Sequence, residues 1–249
     1  MKYLCIEMKS YSNKIFSDER LDYSCSYCGG DTPVTRDHVP SRILLDDPFP
    51  ENLPLVGCCQ KCNNGFSKDE EYFASVIECI IHSTSNPELL SREKIKRVLR
   101  HNSRLRQRIE SSFIKEDPIL FDDIEQRLYF KIESERFDNV LIKLAKGHVK
   151  FEHSTPMFED PDVIWFKYIN ELSEDEHTAF FNIEDSGKIT EIGSRAFHKT
   201  HVDNVMQTYH NQWEIVQEGR YVYCVSNDLG QTAVRIILSN YLACYIVWQ

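Results

Sequence analysis

Cys25-Ser26-Tyr27-Cys28 and Cys59-Gln60-Lys61-Cys62-Asn63-Asn64 bracket Thr35-Arg36-Asp37-His38, and the reading of this stretch decides the rest of the chain. Each C-x2-C turn presents two sulfurs to one ion, so the two pairs have the spacing of a tetrahedral zinc shell. A metal staple there fixes a short segment with little apolar core of its own. The adjoining Cys58 offers a second register, but with Cys62 it gives the less usual x3 spacing, so Cys25, Cys28, Cys59 and Cys62 are the expected zinc ligands. Asp37 and His38 lie inside the loop, Asn52 follows in Glu51-Asn52-Leu53, and Asn63 comes directly after the last cysteine. These side chains bind hard cations and accept a proton from water. Four such cysteines alone more often make a structural ribbon than an enzyme, and an Asp-His pair alone is usually a turn or a solvated surface. Their joint occurrence in this order is what points to chemistry.

Over roughly residues 23 to 70 the pattern resembles the HNH, or ββα-metal, nuclease family in its four-cysteine form. The resemblance implies an Asp-His pair ending a first strand, an Asn on the way back, and a His or Asn on a helix. Here these fall on Asp37-His38, Asn52 and Asn63. It implies a metal-dependent endonuclease hydrolysing DNA phosphodiesters, with RNA also compatible with the chemistry. Hydrolysis needs an activated water, charge neutralisation on the transition state and stabilisation of the departing 3′ oxygen. A neutral His38 takes the water proton near pH 7 without a large pKa shift. Asp37 and the amide oxygen of Asn63 are hard ligands, suited to a catalytic Mg2+ or Mn2+ rather than to zinc. Adjacent strand residues point to opposite faces, so Asp37 and His38 serve different partners, and Asn52 orients the imidazole. By analogy alone, such a protein would act in phage defence or on mobile DNA. The competing reading is a non-catalytic zinc module that binds nucleic acid or a protein partner.

The 249 residues have room for two domains, and the motif occupies only the first third. Of the nine cysteines, the five outside the proposed shell (Cys5, Cys58, Cys79, Cys224, Cys244) show no repeating spacing, which favours a reducing, cytoplasmic setting over a disulfide framework. The first residues carry no long apolar run and no window approaches the roughly 20 apolar residues that span a bilayer, so no membrane association is expected.

A net charge of -10 is awkward for a protein that grips a polyanion, but the charge is unevenly spread. Between Ser91 and Arg108, eight basic residues face one acid, a local +7. Ile95, Val98, Leu99, Leu105 and Ile109 recur there at helical spacing, so one face packs while Arg97, Arg100 and Arg104 are left to touch phosphate. Arg36, Arg42 and Lys68 are further phosphate candidates. The alternative for Arg36, Arg42 and Lys68 is a solvated surface charge, and for the basic stretch a solvated helix that pairs with the acidic remainder of the chain.

The fold class expected is α+β, with four segments. Residues 1–22 lead into a nuclease module at 23–82, followed by a basic helical segment at 83–112 and an α+β domain at 113–249, whose role is open to an oligomer or protein partner. Ser67-Lys68-Asp69-Glu70 has the form of a capping box and predicts a helix start, with a stop near Ser83 to Pro87. Arg127 to Ile132 reads as a strand. Phe137, Val140, Leu141 and Leu144 mark a helix that Gly147 is placed to cap. Tyr221 to Val225 and Thr232 to Leu238 read as strands, and Tyr241 to Trp248 as a strand buried on both faces. His198, His201, Asp203 and His210 could be drawn as a metal site but are more economically ordinary histidines. The aromatics Trp165, Phe166, Tyr168, Trp213, Tyr221 and Tyr223 are more economically core than a base-stacking platform.

Overall fold

The computed structural model describes residues 22–30, 32, 35–115, 128–183, 194–196, 213–228 and 230–249. It is mixed α+β, with antiparallel sheets. The chain divides into two compact units, one of residues 1–63 with 142–249, the other of residues 64–141. His198, His201, Asp203 and His210 lie outside the described residues.

In the first unit, β1 (Thr35–His38) and β2 (Leu55–Cys58) form an antiparallel hairpin with Asp37 opposite Val56 and His38 opposite Leu55. Helix α1 (Gln60–Gly65) follows within two residues. Farther along are the C-terminal part of α5 (Ser134–His153), β5 (Val163–Tyr168), α6 (Glu174–Phe181), and the strands β6 (Glu214–Gln217), β7 (Tyr221–Asp228), β8 (Gln231–Leu238) and β9 (Leu242–Trp248). These five strands form one sheet in the order β5-β9-β8-β7-β6, and every pairing is antiparallel. The three C-terminal strands read from the sequence are therefore present, β7 running on to Asp228.

The pleat explains the largely apolar stretches of β7 to β9, because alternate residues feed opposite cores. Val222, Cys224, Ile237 and Ala243 share one core with Phe180, Ile183 and Trp213. Tyr221 and Tyr223, on the other face of β7, meet α5: His148 stacks on the Tyr223 ring at 3.7 Å and its Nε2 lies 2.8 Å from the Tyr221 hydroxyl. The aromatics of this sheet are thus largely core, with Trp165 5.7 Å from Phe180.

In the second unit, α2 (Ser67–Ile81) buries Tyr72, Phe73 and Val76, and Phe137 packs on Phe73 at 4.6 Å. The capping box read at Ser67 does not form. Phe66, which precedes the helix, is itself in the αR conformation (φ -85°, ψ -16°), not the extended one an N-cap needs, and the Ser67 hydroxyl donates to the Asn64 carbonyl. A complete capping box stands instead at Ser173 and Glu176, at the start of α6. The basic stretch is two helices, α3 (Glu93–His101) and α4 (Ser103–Glu110), separated at Asn102, whose side chain caps α4 through the Leu105 amide. Strands β3 (Phe113–Lys115) and β4 (Leu128–Phe130) pair as a short ribbon.

Gly147 does not cap α5. The helix runs on to His153, and a Cβ at Gly147 would lie 2.7 Å from Val39 Cγ2. The residue is there for close approach, which outweighs the roughly 1 kcal/mol that an interior glycine costs a helix.

Candidate metal centre and catalytic face

The sulfurs of Cys25, Cys28, Cys59 and Cys62 all lie within 4.8 Å of one another, and those of Cys28 and Cys59 are 3.9 Å apart. Four sulfurs each about 2.3 Å from one zinc stand about 3.8 Å apart, so the cluster has the dimensions of a tetrahedral thiolate site. Local structure sets it up. The Gly29 amide donates to the Cys25 carbonyl at 2.9 Å, closing the first turn, and Gly29 itself has φ +69°. A Cβ there would sit 2.9 Å from the Phe158 ring, so both conformation and space require glycine. The Ser26 amide and hydroxyl both donate to the Gly57 carbonyl, tying this turn to β2. The Cys62 amide points at the Cys59 sulfur at 3.4 Å.

Burial, then the neighbouring Cys59 and Cys28 sulfurs, push the Cys62 thiol up. A metal dication is the chemistry that stabilises four thiolates at such distances. Cys58 is not in the cluster. It is buried on β2 with its sulfur 3.2 Å from Thr35 Oγ1, and burial pushes its thiol up to about 11. The x2 register through Cys59 is therefore the one whose sulfurs converge.

The proposed catalytic residues gather unequally. Asn63, on α1, donates through Nδ2 to Thr35 Oγ1 at 3.1 Å, and Thr35 Oγ1 donates to the Cys58 carbonyl. Thr35 and Asp37 are two apart on β1 and share a face, so Asn63 is fastened to the face that carries Asp37. Asn63 Oδ1 and Asp37 Oδ1 accept no hydrogen bond among the described residues, and two hard oxygen ligands suit Mg2+ or Mn2+. Asp37 Oδ2 is taken: the Tyr27 hydroxyl donates to it at 2.7 Å, and the ammonium of Lys143 on α5 lies 2.7 Å away. His38 is half-buried, and its pKa is lowered by burial first, then by the Arg42 charge, with Asp37 opposing and Lys143 adding to the fall. The shift favours the neutral imidazole.

Asn52 is exposed in the turn before β2 and makes no hydrogen bond to His38 among the described residues. It borders a pocket of about 40 Å³ with Arg195, Glu214 and Tyr223, room for a water. Arg36 and Arg42 are exposed around the hairpin, Arg42 lying over the Phe49 ring at 5.4 Å. In the other unit Lys68 is exposed. Arg100 is not a free cation, because its guanidinium makes two 2.9 Å bonds to Glu88. Arg97 turns its Nε to the Glu93 carbonyl, while Arg104 is exposed and unpaired among the described residues.

Sequence reasoning missed Lys143. It reads as one more solvated lysine on an amphipathic helix, yet its side chain is only 3% exposed. The available signal was Lys143, Lys146, Gly147 and Lys150, which at helical spacing share one face with a glycine. No protein-family model, no curated protein and no solved structure matches this chain.

Proposed function

We propose that the chain is a metal-dependent endonuclease of the HNH type, with zinc on Cys25, Cys28, Cys59 and Cys62 as the structural ion and DNA as the substrate. The observation that carries this reading is the hairpin followed by α1, which brings Asn63 to the strand face of Asp37 beside a four-sulfur cluster. In that reading Asp37 Oδ1 and Asn63 Oδ1 hold a divalent cation, Mg2+ or Mn2+, which supplies charge neutralisation at the scissile phosphate. His38, kept neutral, takes the proton of the attacking water. Arg36 and Arg42 offer charge to the flanking phosphates.

A second reading is favoured by one contact. The Lys143 ammonium on Asp37 gives the carboxylate a cation of its own, as a non-catalytic zinc module that binds nucleic acid or a protein partner would allow. Plasmid nicking by the purified chain with Mg2+, against EDTA and His38→Ala controls, separates the two. Nicking that depends on both the metal and His38 is expected, and a chain that binds DNA without nicking it would establish the second reading.

A further inference from the structure

Lys143 reaches the hairpin from a helix outside the motif, and the packing that delivers it is tight. At Gly147, one turn farther along α5, an added Cβ would meet Val39 at 2.7 Å and the Tyr27 hydroxyl at 3.4 Å. The helix backbone is therefore pressed against the strand end and against Tyr27. With that approach fixed, the Lys143 ammonium lies 2.7 Å from Asp37 Oδ2, 2.8 Å from Ser41 Oγ and 5.8 Å from the centre of the Tyr27 ring. Tyr27 donates to the same Oδ2. The ammonium is buried and Asp37 nearly so, at 3% and 13% side-chain exposure. Water screens such a pair little, and a second cation arriving on Asp37 would be repelled by the first.

We propose that Lys143 is the resident counter-ion of Asp37 and competes with a divalent cation for that carboxylate, so that α5 sets how readily the catalytic face takes metal. The proposal rests on the reading of Asp37 as a cation ligand. Lys143 is a positioning residue here, too deeply buried to reach a phosphate. Its ammonium ends a flexible four-carbon stem and already bonds Ser41 Oγ at 2.8 Å, a partner it can keep when a divalent ion engages the carboxylate.

Titration of the zinc-loaded full chain with Mn2+, followed by the paramagnetic resonance of the free ion, tests this without recourse to activity. Lys143→Met should bind Mn2+ about tenfold more tightly or better, the repulsion having been removed. Lys143→Arg should stay near wild type, and Asp37→Asn should lose the site. If Asp37→Asn binds Mn2+ as wild type does, the cation-ligand reading fails and the proposal with it. If Asp37→Asn loses binding while folded Lys143→Met matches wild type, the reading stands and the competition is overturned. Should Lys143→Met not fold, Lys143→Gln, which keeps a donor for Asp37 and Ser41 without the charge, decides in its place: tighter Mn2+ binding than wild type is expected, and wild-type affinity would overturn the proposal.

Discussion

In the hairpin segment Asp37 meets Lys143 and Tyr27, each at 2.7 Å, with His38 next along the strand. Under the five-stranded sheet Glu152 meets Arg195 at 3.1 Å and Tyr223 at 2.6 Å, with His148 one turn earlier on the same helix. Helix α5 contributes to both clusters, and both combine a carboxylate, a cation, a tyrosine and a histidine. What differs is how each is closed. Arg195 continues to Glu214 at 3.1 Å, and His148 is wholly buried between two tyrosines. Asp37 keeps an oxygen without a partner among the described residues, and its neighbours Arg36 and Arg42 reach solvent. The charges of the Glu152 brace are paired among themselves, although His148 Nδ1 is buried without a hydrogen-bond partner among the described residues, whereas the Asp37 cluster keeps a carboxylate oxygen open, as the proposed cation site requires.

The largest expected effect separates the two regions outright. Cys62→Ser, or prolonged chelation, should strip the ion whose apparent binding free energy in structural zinc sites is roughly 10 to 16 kcal/mol. The hairpin segment should then lose its fold. The three tryptophans, Trp165, Trp213 and Trp248, all belong to the sheet region, so their fluorescence should change little. Metal analysis and tryptophan emission recorded on one sample check this. Folded protein that contains no zinc, or emission that collapses together with zinc loss, would contradict this separate behaviour of hairpin and sheet.

Next in size is the contrast between the histidines. His38→Ala should lower DNA cleavage roughly 100- to 10,000-fold, the usual worth of a positioned base, while leaving zinc content and melting temperature nearly unchanged. His148 touches no solvent, so its replacement should show in stability and not in the chemical step. Single-turnover cleavage and thermal melts on both variants make the comparison, and wild-type cleavage by His38→Ala would remove the base assignment.

The brace carries its own pH signature. Burial pushes His148 down to about 3, against a partial rise from Glu152, and the buried Tyr221 and Tyr223 are pushed well above 10 and stay neutral. Above pH 6.5 the imidazole is neutral in both folded and unfolded chains, so it contributes no pH dependence there. Below that, the unfolded chain takes up a proton that the folded chain refuses, and stability falls by up to about 1.4 kcal/mol per pH unit until the pH nears 3. His148→Phe keeps a ring on Tyr223 and binds no proton. Urea unfolding between pH 5 and 7 should show a shallower slope for this variant than for wild type, and equal slopes would mean that another group carries the acid sensitivity.

The four-cysteine cluster was legible because its spacing is local: two turns of four residues and a hairpin between them. Strands β7 to β9 were legible for a related reason, since burial on both faces leaves apolar runs that no solvated element tolerates. Lys143 and Glu152 were not, because a charge on a helix is read as solvated unless its partner is known, and their partners lie 106 and 71 residues away. Gly147 misled for the same reason. Its local propensity speaks for a helix end, and only the approach of Val39, distant in sequence, explains a glycine inside α5. The capping box was misplaced because Ser67 follows another helix so closely that no extended residue precedes it.

The smallest expected effect carries the distinction between closed and open charge into the basic helices of the second unit. Arg100 is forked onto Glu88, Lys96 is held by Glu93, and Arg108 bonds Glu133 through Nη2 at 2.6 Å. Arg104 and Arg106 are exposed and unpaired among the described residues, and Arg97 spends only its Nε on a backbone carbonyl. If this face meets phosphate, each open arginine that makes a contact should contribute a slope of about 0.9 in log affinity against log salt, and a paired one less, because it must first leave its carboxylate. Changing Arg97, Arg104 and Arg106 together to Gln should flatten the salt dependence of DNA binding, while Arg100→Gln alone should barely alter it. Cleavage at saturating DNA should largely survive in both. Fluorescence anisotropy of a labelled duplex across a salt series reads the slopes. A slope unchanged by the triple variant would assign these arginines to solvent, and a larger loss from Arg100→Gln would show that the Glu88 pair opens when DNA binds.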